Sequence, residues 1–406
     1  MTAIEKREVG PQPSQTYAGY AWPGLGHLLV GEWVHGLGMM SITALCALGI
    51  VLGLPTLSTR LFLSNGVSWH TLLALLTVPA VLAALWFRAH RRVFPRVLDE
   101  AEFNSNRNVF LRQIRRHRSG MLGFYGICLL LLAMVITPLL APYDPNVIDV
   151  GPPTAAPGWW QHVAPMIGWS TDAAQHGWLD YPMGTDERGR DVLSRLLFGA
   201  RISLMIGFVA VALAASIGTV VGATAGYLGA WVDRILMWFV DLLLAMPRLI
   251  LLLAVVGIID LGGTKRLFLI IGVLGLTGWM GVSRIVRSQV LSLKQQDFVQ
   301  AARALGYSQG RIVLQHLIPN AMAPVIVFCS LAIGGTMLAE AGLSFLGLGV
   351  QPPTSTWGVM VNEGRPTLRD APWISMFPGL AIVAAVMCFN LLGDGLRDAL
   401  DPKQRT

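Results

Sequence analysis

The chain has 406 residues, of which 54% are hydrophobic and only 13% are charged, and its formal net charge is +7. In soluble domains about a quarter of the residues are charged, so this composition excludes an ordinary soluble enzyme and indicates an integral membrane protein. A net positive charge can indicate nucleic-acid binding, but the arginines here lie beside apolar runs, which favours a lipid bilayer as partner and argues against nucleic acid.

Eight apolar runs are long enough to cross a bilayer whose apolar core is about 30 Å thick. We read each run as a helix: 36–54, 69–87, 120–141, 202–228, 235–257, 267–283, 321–339 and 373–393. The fifth run is interrupted by Asp241 and Arg248, and the sixth is short. The sequence therefore predicts an all-α polytopic membrane protein.

The orientation of these helices follows from the arginine-rich segment 88–118, which joins the second and third runs and contains few acidic residues. Short loops rich in Arg and Lys stay in the cytoplasm, so this segment and both termini are predicted to be cytoplasmic. Counting membrane crossings from this segment places 142–200 and 340–372 outside the cell. The polar N-terminus has no apolar core before residue 36, which argues against a cleaved signal peptide.

The stretch GTDERGRD, residues 184–191, lies just before the fourth run. Asp186 and Asp191 can cap turns or the start of the helix, and Arg190 can pair with them. We favour a role in folding for these three residues. Contact with an external partner protein is the alternative.

The fifth run contains two candidate pathway residues, Asp241 and Arg248, which are seven positions apart with Pro247 between them. In one continuous helix they would share a face two turns apart. Charges in a membrane are costly and usually face a bundle interior or a water-filled cavity. Arg248 could meet the carboxylate of a transported solute while Asp241 balances its charge. Alternatively, Arg248 extends to the membrane surface, or Asp241 or another helix neutralises it, and the residue only fixes packing.

Between the sixth and seventh runs lies a polar, basic stretch, QAARALGYSQGRIVLQHLIPN, residues 300–320. At helical spacing Gln300 and Arg303 lie mostly away from an apolar face. That predicted face consists of Phe298, Ala301, Ala302 and Leu305. An ordered amphipathic helix outside the membrane is typical of a docking surface for another protein.

The same stretch contains signals for a helix, a break and a second helix. Gly306 can adopt the left-handed conformation that ends a helix, and Ser308 is a good N-cap. The second helix is predicted to run to about Leu317, before Pro319. We therefore expect a rigid two-helix unit that transmits movement to the adjoining membrane helices.

Several kinds of site are missing from the sequence. There is no GxxxxGK[ST] phosphate loop, so the chain is not expected to bind or hydrolyse ATP. No Ser/His/Asp, HExxH or paired-carboxylate constellation stands out, and no catalytic residues are predicted. Cysteines and histidines are scattered, which argues against a metal site.

The stretch QAARALG, followed after nine residues by HLIPN, resembles the EAA loop of permease subunits of ATP-binding-cassette importers. In that family the loop is a coupling helix that sits in a cleft of an ATPase subunit. The family pattern begins with Glu, where this chain has Gln300. The resemblance implies these ATPase-coupling residues: Gln300, Ala301, Ala302, Arg303, Leu305, Gly306 and Pro319.

Other stretches extend this resemblance to about 115–406. They are RRHRSGMLGFYGICLLLLAMVITPLLAPYDP, MGTDERGRDVLSRLLFGARISL, LAEAGLSFLGLGVQPPTSTWGVMVNEG and NLLGDGLRDALDPKQR. Their order resembles the C-type permease subunit of dipeptide, oligopeptide and nickel importers. The implied fold is a type I importer permease with a core of about six helices, here preceded by two extra transmembrane helices.

The resemblance implies a multi-pass protein of the bacterial cytoplasmic membrane that imports di- or oligopeptides. Its implied partners are a second permease, two ATPase subunits that bind ATP and Mg²⁺, and an extracytoplasmic solute-binding protein; this chain itself would hold no cofactor. Nickel, an opine or another small solute are alternative substrates. A passive channel or exporter component is the alternative from another class.

Four regions follow from these patterns. They are an N-terminal extension (1–114) with two predicted helices and a basic linker, a first core helix with an external loop (115–198), the permease core (199–395) containing a coupling loop (288–319), and a cytoplasmic tail (396–406).

Overall fold

The computed structural model describes residues 117–160, 181–259 and 262–400, together with Met166 and a few single positions between 41 and 84. The two helices predicted within 1–114 lie largely outside the described residues, as does most of the predicted tail. The chain divides into two compact units, Met1–Pro142 and Tyr143–Thr406.

The longest described segment of the first unit is helix α1 (Arg118–Leu140). It contains no charged side chain after Arg118, and its residues are apolar on all sides, as a helix that crosses a bilayer requires. It ends at Ala141, directly before Pro142. This helix confirms the predicted run 120–141.

In the second unit, the described residues form nine helices and one π-helical turn. In chain order these are α2 (Val192–Leu228), α3 (Ala230–Leu244), α4 (Arg248–Ile258), α5 (Thr264–Leu293), α6 (Asp297–Ala304), α7 (Gln309–Ile312), the π-turn (Val313–Leu317), α8 (Ile318–Phe345), α9 (Trp357–Glu363) and α10 (Trp373–Leu400). Within the described part of the chain, five helices are long and apolar enough to cross a membrane, or six if α3 and α4 form one broken span. Five of the six helices predicted for the core are thus recovered as single spans, and the remaining run, 235–257, corresponds to α3 and α4.

The fifth predicted run, 235–257, is not one straight helix. It is split into α3 and α4, which meet at 80° across Ala245–Pro247. Pro247 lacks an N–H group and disfavours a helical conformation at Met246, which explains the break at this point. The prediction that Asp241 and Arg248 share one helix face is therefore wrong.

Helix α2 packs along α5 through a stripe of glycines. A Cβ atom on Gly218 would lie 2.5 Å from Val282 Cβ and 2.6 Å from the Trp279 carbonyl oxygen. Gly222 and Gly226 face the carbonyl oxygens of Ser283 and Arg287 in the same way. Lipid provides no hydrophobic drive for helix association, so close backbone approach at small residues is what joins these two helices.

We expect Gly218→Ala to lower the free energy of unfolding by about 1–3 kcal/mol, because the new methyl group would force α2 away from α5. Thermal unfolding of the purified protein in detergent measures the change. Gly272→Ala on α5 is the control, since a Cβ there meets nothing within 4 Å. Equal melting temperatures for the two variants would contradict the close packing.

Candidate functional site

Within the coupling loop, helix α6 ends just before Gly306, as predicted. Gly306 has φ +76°, and its N–H donates to the Arg303 carbonyl at 3.0 Å, while the Tyr307 N–H donates to the Ala302 carbonyl at 3.1 Å. This pair of bonds is the Schellman motif that closes a helix C-terminus. Because nothing lies within 4 Å of a Cβ at this position, Gly306 is needed for its backbone conformation and not for space within the chain.

The second helix of the loop does not end before Pro319. Residues 309–345 continue from α7 through the π-turn into α8, so that Pro319 lies in the first turn of α8. The wider π-turn gives room for the proline ring, which would collide with a carbonyl of a regular α-helical turn. The predicted boundary at Pro319 is wrong, and the coupling loop is continuous with a membrane helix.

The buried face of the loop differs from the predicted one. Val299 and Ala302 are buried, together with Ile312, and they pack against apolar residues of α2 and α5. Leu305, by contrast, is 74% exposed, and Ala301 is exposed as well.

Phe298 is also partly exposed, at 39%. Ala302 therefore contributes to packing, whereas three members of the predicted face point away from the bundle. We call this uncovered set, Phe298, Ala301 and Leu305, the coupling surface.

Polar contacts tie α6 to its neighbours. The Lys294 ammonium donates to the Gly226 carbonyl at the end of α2 (2.9 Å). The Gln300 side-chain amide donates to the Lys294 carbonyl at 3.2 Å, and the Arg303 guanidinium lies 5.7 Å from the centre of the Tyr227 ring. Gln300 and Arg303 thus hold the loop to the ends of α5 and α2.

Two ion pairs connect α3 to α5. Arg287 donates to both carboxylate oxygens of Asp233, with an Nη2–Oδ2 distance of 2.7 Å. One turn earlier on α5, Arg284 pairs with Asp241 at 2.5 Å. Sequence reasoning singled out Asp241 but not its true partner, although SRIVRSQV on α5 places two arginines at helical spacing.

Arg248, the second pathway candidate, lines a cavity of about 290 Å³ between α2, α4, α5 and α8. It lies at the first position of α4. It forms no hydrogen bond or ion pair with any residue that the structure describes. The structure thus places Asp241 and Arg248 in different surroundings.

The predicted residues of GTDERGRD form a buried ion-pair network. Asp186 Oδ2 accepts from Arg190 Nε and from Arg195 Nη1, both at 2.6 Å. Glu363 Oε2 accepts from the same two arginines, at 3.1 and 2.6 Å. We call these four residues the Asp186 network; it fastens the segment before α2 to the end of α9.

Backbone contacts complete this arrangement. Asp186 Oδ1 accepts from the N–H groups of Arg188 and Arg190 at 2.8 and 3.0 Å. Asp191 is the N-cap of α2 and accepts from the Ser194 N–H at 2.8 Å. Burial raises the pKa of the Asp191 carboxyl group. These contacts support the folding role that we favoured. They add Arg195, which sequence reasoning missed because it lies outside GTDERGRD, between that stretch and the fourth apolar run.

The segment between α8 and α9 folds back onto α2. The buried Glu340 carboxylate accepts from Ser344 and Thr356 hydroxyls at 2.8 and 2.9 Å. The Trp357 N–H donates to Ser203 Oγ at 3.1 Å, and its indole N–H donates to the Leu196 carbonyl at 2.9 Å. These bonds hold α9 beside α2 and the Asp186 network.

Comparison with known proteins agrees with this architecture. Residues 218–406 match the family described as binding-protein-dependent transport system inner membrane component, and residues 105–157 match the N-terminal transmembrane domain of oligopeptide transport permease C. A dipeptide transport system permease of Alkalihalophilus pseudofirmus is 37% identical over 73% of this chain and 89% of its own length.

An oligopeptide transport system permease of Mycobacterium tuberculosis is 36% identical over 75% of this chain and 97% of its own length. This chain belongs to the family of C-type permease subunits of ATP-binding-cassette importers. A glutathione transport system permease of Escherichia coli, 39% identical over 72% of this chain and 89% of that protein, is another relative. As a C-type permease, the chain is a multi-pass membrane protein and a transport subunit, not an enzyme.

Proposed function

We propose that this permease subunit forms part of the import pathway for di- or oligopeptides and is driven by ATPase subunits that bind its coupling surface. A second permease completes the pathway, two ATPase subunits bind ATP and Mg²⁺, and an extracytoplasmic solute-binding protein delivers the substrate. The coupling loop and both termini lie in the cytoplasm in this arrangement.

The coupling surface is the observation that carries the proposal. An apolar side chain as exposed as Leu305, on a helix whose opposite face is packed against α2 and α5, is available to a partner protein. Ala301 beside it permits close approach. Exposed apolar groups of this kind, fixed on a rigid element, are typical of protein interaction sites.

The same loop can transmit movement into the membrane. Its second half is continuous with α8, and α8 contributes Phe328, Leu331 and Thr336 to the cavity wall. A displacement of the coupling surface by an ATPase would therefore move one wall of the cavity directly. Only the turn 305–308 separates α6 from this continuous helix, and Val299 and Ala302 of α6 pack with Ile312 of α7.

The substrate class rests on the relatives, whose printed names refer to dipeptides, oligopeptides and glutathione. All three are peptides, so a peptide importer is favoured over an importer of nickel, an opine or another small solute. The family description, binding-protein-dependent transport, favours import over passive conduction or export.

The test is purification of the tagged chain from its native membranes in a mild detergent, with the bound proteins identified by mass spectrometry. We expect a second permease, P-loop ATPases and a solute-binding protein. The recovered complex, reconstituted in liposomes, should take up trialanine only when ATP is supplied on the coupling-loop side. A complex that takes up Ni²⁺ but not trialanine would overturn the peptide assignment, and uptake without ATP would overturn coupled import.

A further inference from the structure

The cavity beside Arg248 is built almost entirely from small and apolar side chains. Its wall includes Ala210 and Ala214 from α2, Leu274 from α5 and Leu331 from α8. The one other polar side chain at the wall, within the described residues, is Thr336, whose hydroxyl donates to the Ala332 carbonyl at 2.8 Å. The cavity therefore combines an apolar wall with one cationic group.

No carboxylate among the described residues neutralises that cation. Asp241, the acidic residue nearest to Arg248 in the sequence, is paired with Arg284 at 2.5 Å. No Asp or Glu side chain lines the cavity. A guanidinium group next to apolar surface, without a counter-ion, favours binding of an anion that enters the cavity.

The chemistry of the guanidinium narrows the kind of anion. Arginine presents several N–H donors in a planar fork that matches a carboxylate with two parallel hydrogen bonds. A volume of about 290 Å³ is at the lower end for small-molecule pockets, which suits one amino-acid residue better than a whole peptide. The apolar wall suits an aliphatic or aromatic side chain.

We propose that this cavity is a substrate subsite in which Arg248 binds a peptide carboxylate and the apolar wall receives the neighbouring side chain. The subsite deepens the proposed function and rests on it. Because α8 forms one wall and continues into the coupling loop, movement of that loop changes the shape of the subsite and can release the peptide.

The carboxylate test compares trialanine with its C-terminal amide, in cells that lack their own peptide importers and express this chain with its native partners. The ratio of their kcat/KM values for uptake is measured for the wild type, Arg248→Gln and Arg248→Lys. The solute-binding protein is the same in all strains, so its own preference cancels when the ratios are compared. An alanine-rich peptide amide with one glutamate distinguishes a terminal carboxylate from a side-chain carboxylate.

We expect the acid-to-amide ratio to fall about tenfold in Arg248→Gln, the size expected for loss of one charge-assisted interaction. Arg248→Lys should retain part of the preference, because its charge remains. If instead the glutamate-containing amide is the probe that becomes sensitive to Arg248, the bound carboxylate is a side chain. If Arg248→Gln lowered kcat/KM equally for all probes, or lowered it for none, the subsite assignment would be overturned. Failure of the wild type to import any of them would overturn the peptide function itself.

The apolar wall has a separate test. A Cβ at Gly335, which lines the cavity, meets nothing within 4 Å, and the same is true of Gly342 on the same helix outside the cavity. Gly335→Val should narrow the cavity without disturbing the fold, and should lower uptake of Ala-Ala-Phe more than that of trialanine, by about tenfold in the ratio. Gly342→Val should leave the ratio unchanged. Equal ratios in both variants would overturn the wall assignment.

Discussion

Replacement of Arg195 by Met is expected to lower the free energy of unfolding by about 3–5 kcal/mol, the usual cost of removing one partner from a buried ion pair. The side chain is 1% exposed and contacts both Asp186 and Glu363 at 2.6 Å. Its Nε also donates to Ser355 at 3.2 Å. Methionine fills most of the volume of the arginine side chain but carries no charge. The carboxylates of Asp186 and Glu363 would then have Arg190 as their remaining cation in the network.

Thermal unfolding of the purified chain in detergent measures this effect. Arg188→Met is the matched control, because Arg188 belongs to the same segment but its side chain is exposed. We expect this control to unfold within about 0.5 kcal/mol of the wild type. If both variants unfolded at the same temperature, the Asp186 network would not stabilise the fold, and contact with a partner protein would be the better account of these residues.

Replacement of Leu305 by Asp is expected to reduce ATP-driven uptake at least about tenfold while leaving the folded chain intact. Leu305 is 74% exposed, so the substitution removes little packing within the chain. In the proposed complex it places an unpaired carboxylate against the apolar surface of an ATPase, and a buried unpaired charge is costly. Co-purification of the ATPase subunits and uptake by the reconstituted complex are the two measurements.

Ala302→Leu provides the contrast for this experiment. Ala302 is 5% exposed and packs inside the chain, so the larger side chain should lower the melting temperature of the isolated chain by overpacking. Leu305→Asp should instead leave that temperature unchanged and weaken ATPase binding. If Leu305→Asp retained both its ATPase subunits and its uptake rate, the coupling surface would not be the docking site.

The sequence already determined the features that depend on local chemistry and on the membrane. Apolar runs predicted α1, α2, α5, α8 and α10, because a chain in lipid must satisfy its backbone hydrogen bonds within helices. Gly306 was predicted to end a helix, and it does so in a left-handed backbone conformation. Asp191 was predicted to cap a turn or the start of the helix, and it is the N-cap of α2. Each of these outcomes depends on a few neighbouring residues.

Only the tertiary structure decided which faces and charges meet. Helical periodicity grouped Ala302 with Leu305, but the contacts with α2 and α5 bury the first and leave the second exposed. Proximity in sequence paired Asp241 with Arg248, whereas the bend at Pro247 separates them and α5 brings Arg284 to Asp241. Arg195 and Glu363 meet across 168 positions of chain. Local patterns specify helices and caps, but ion pairs and buried faces depend on how distant helices pack, and one sequence contains no direct signal for that packing.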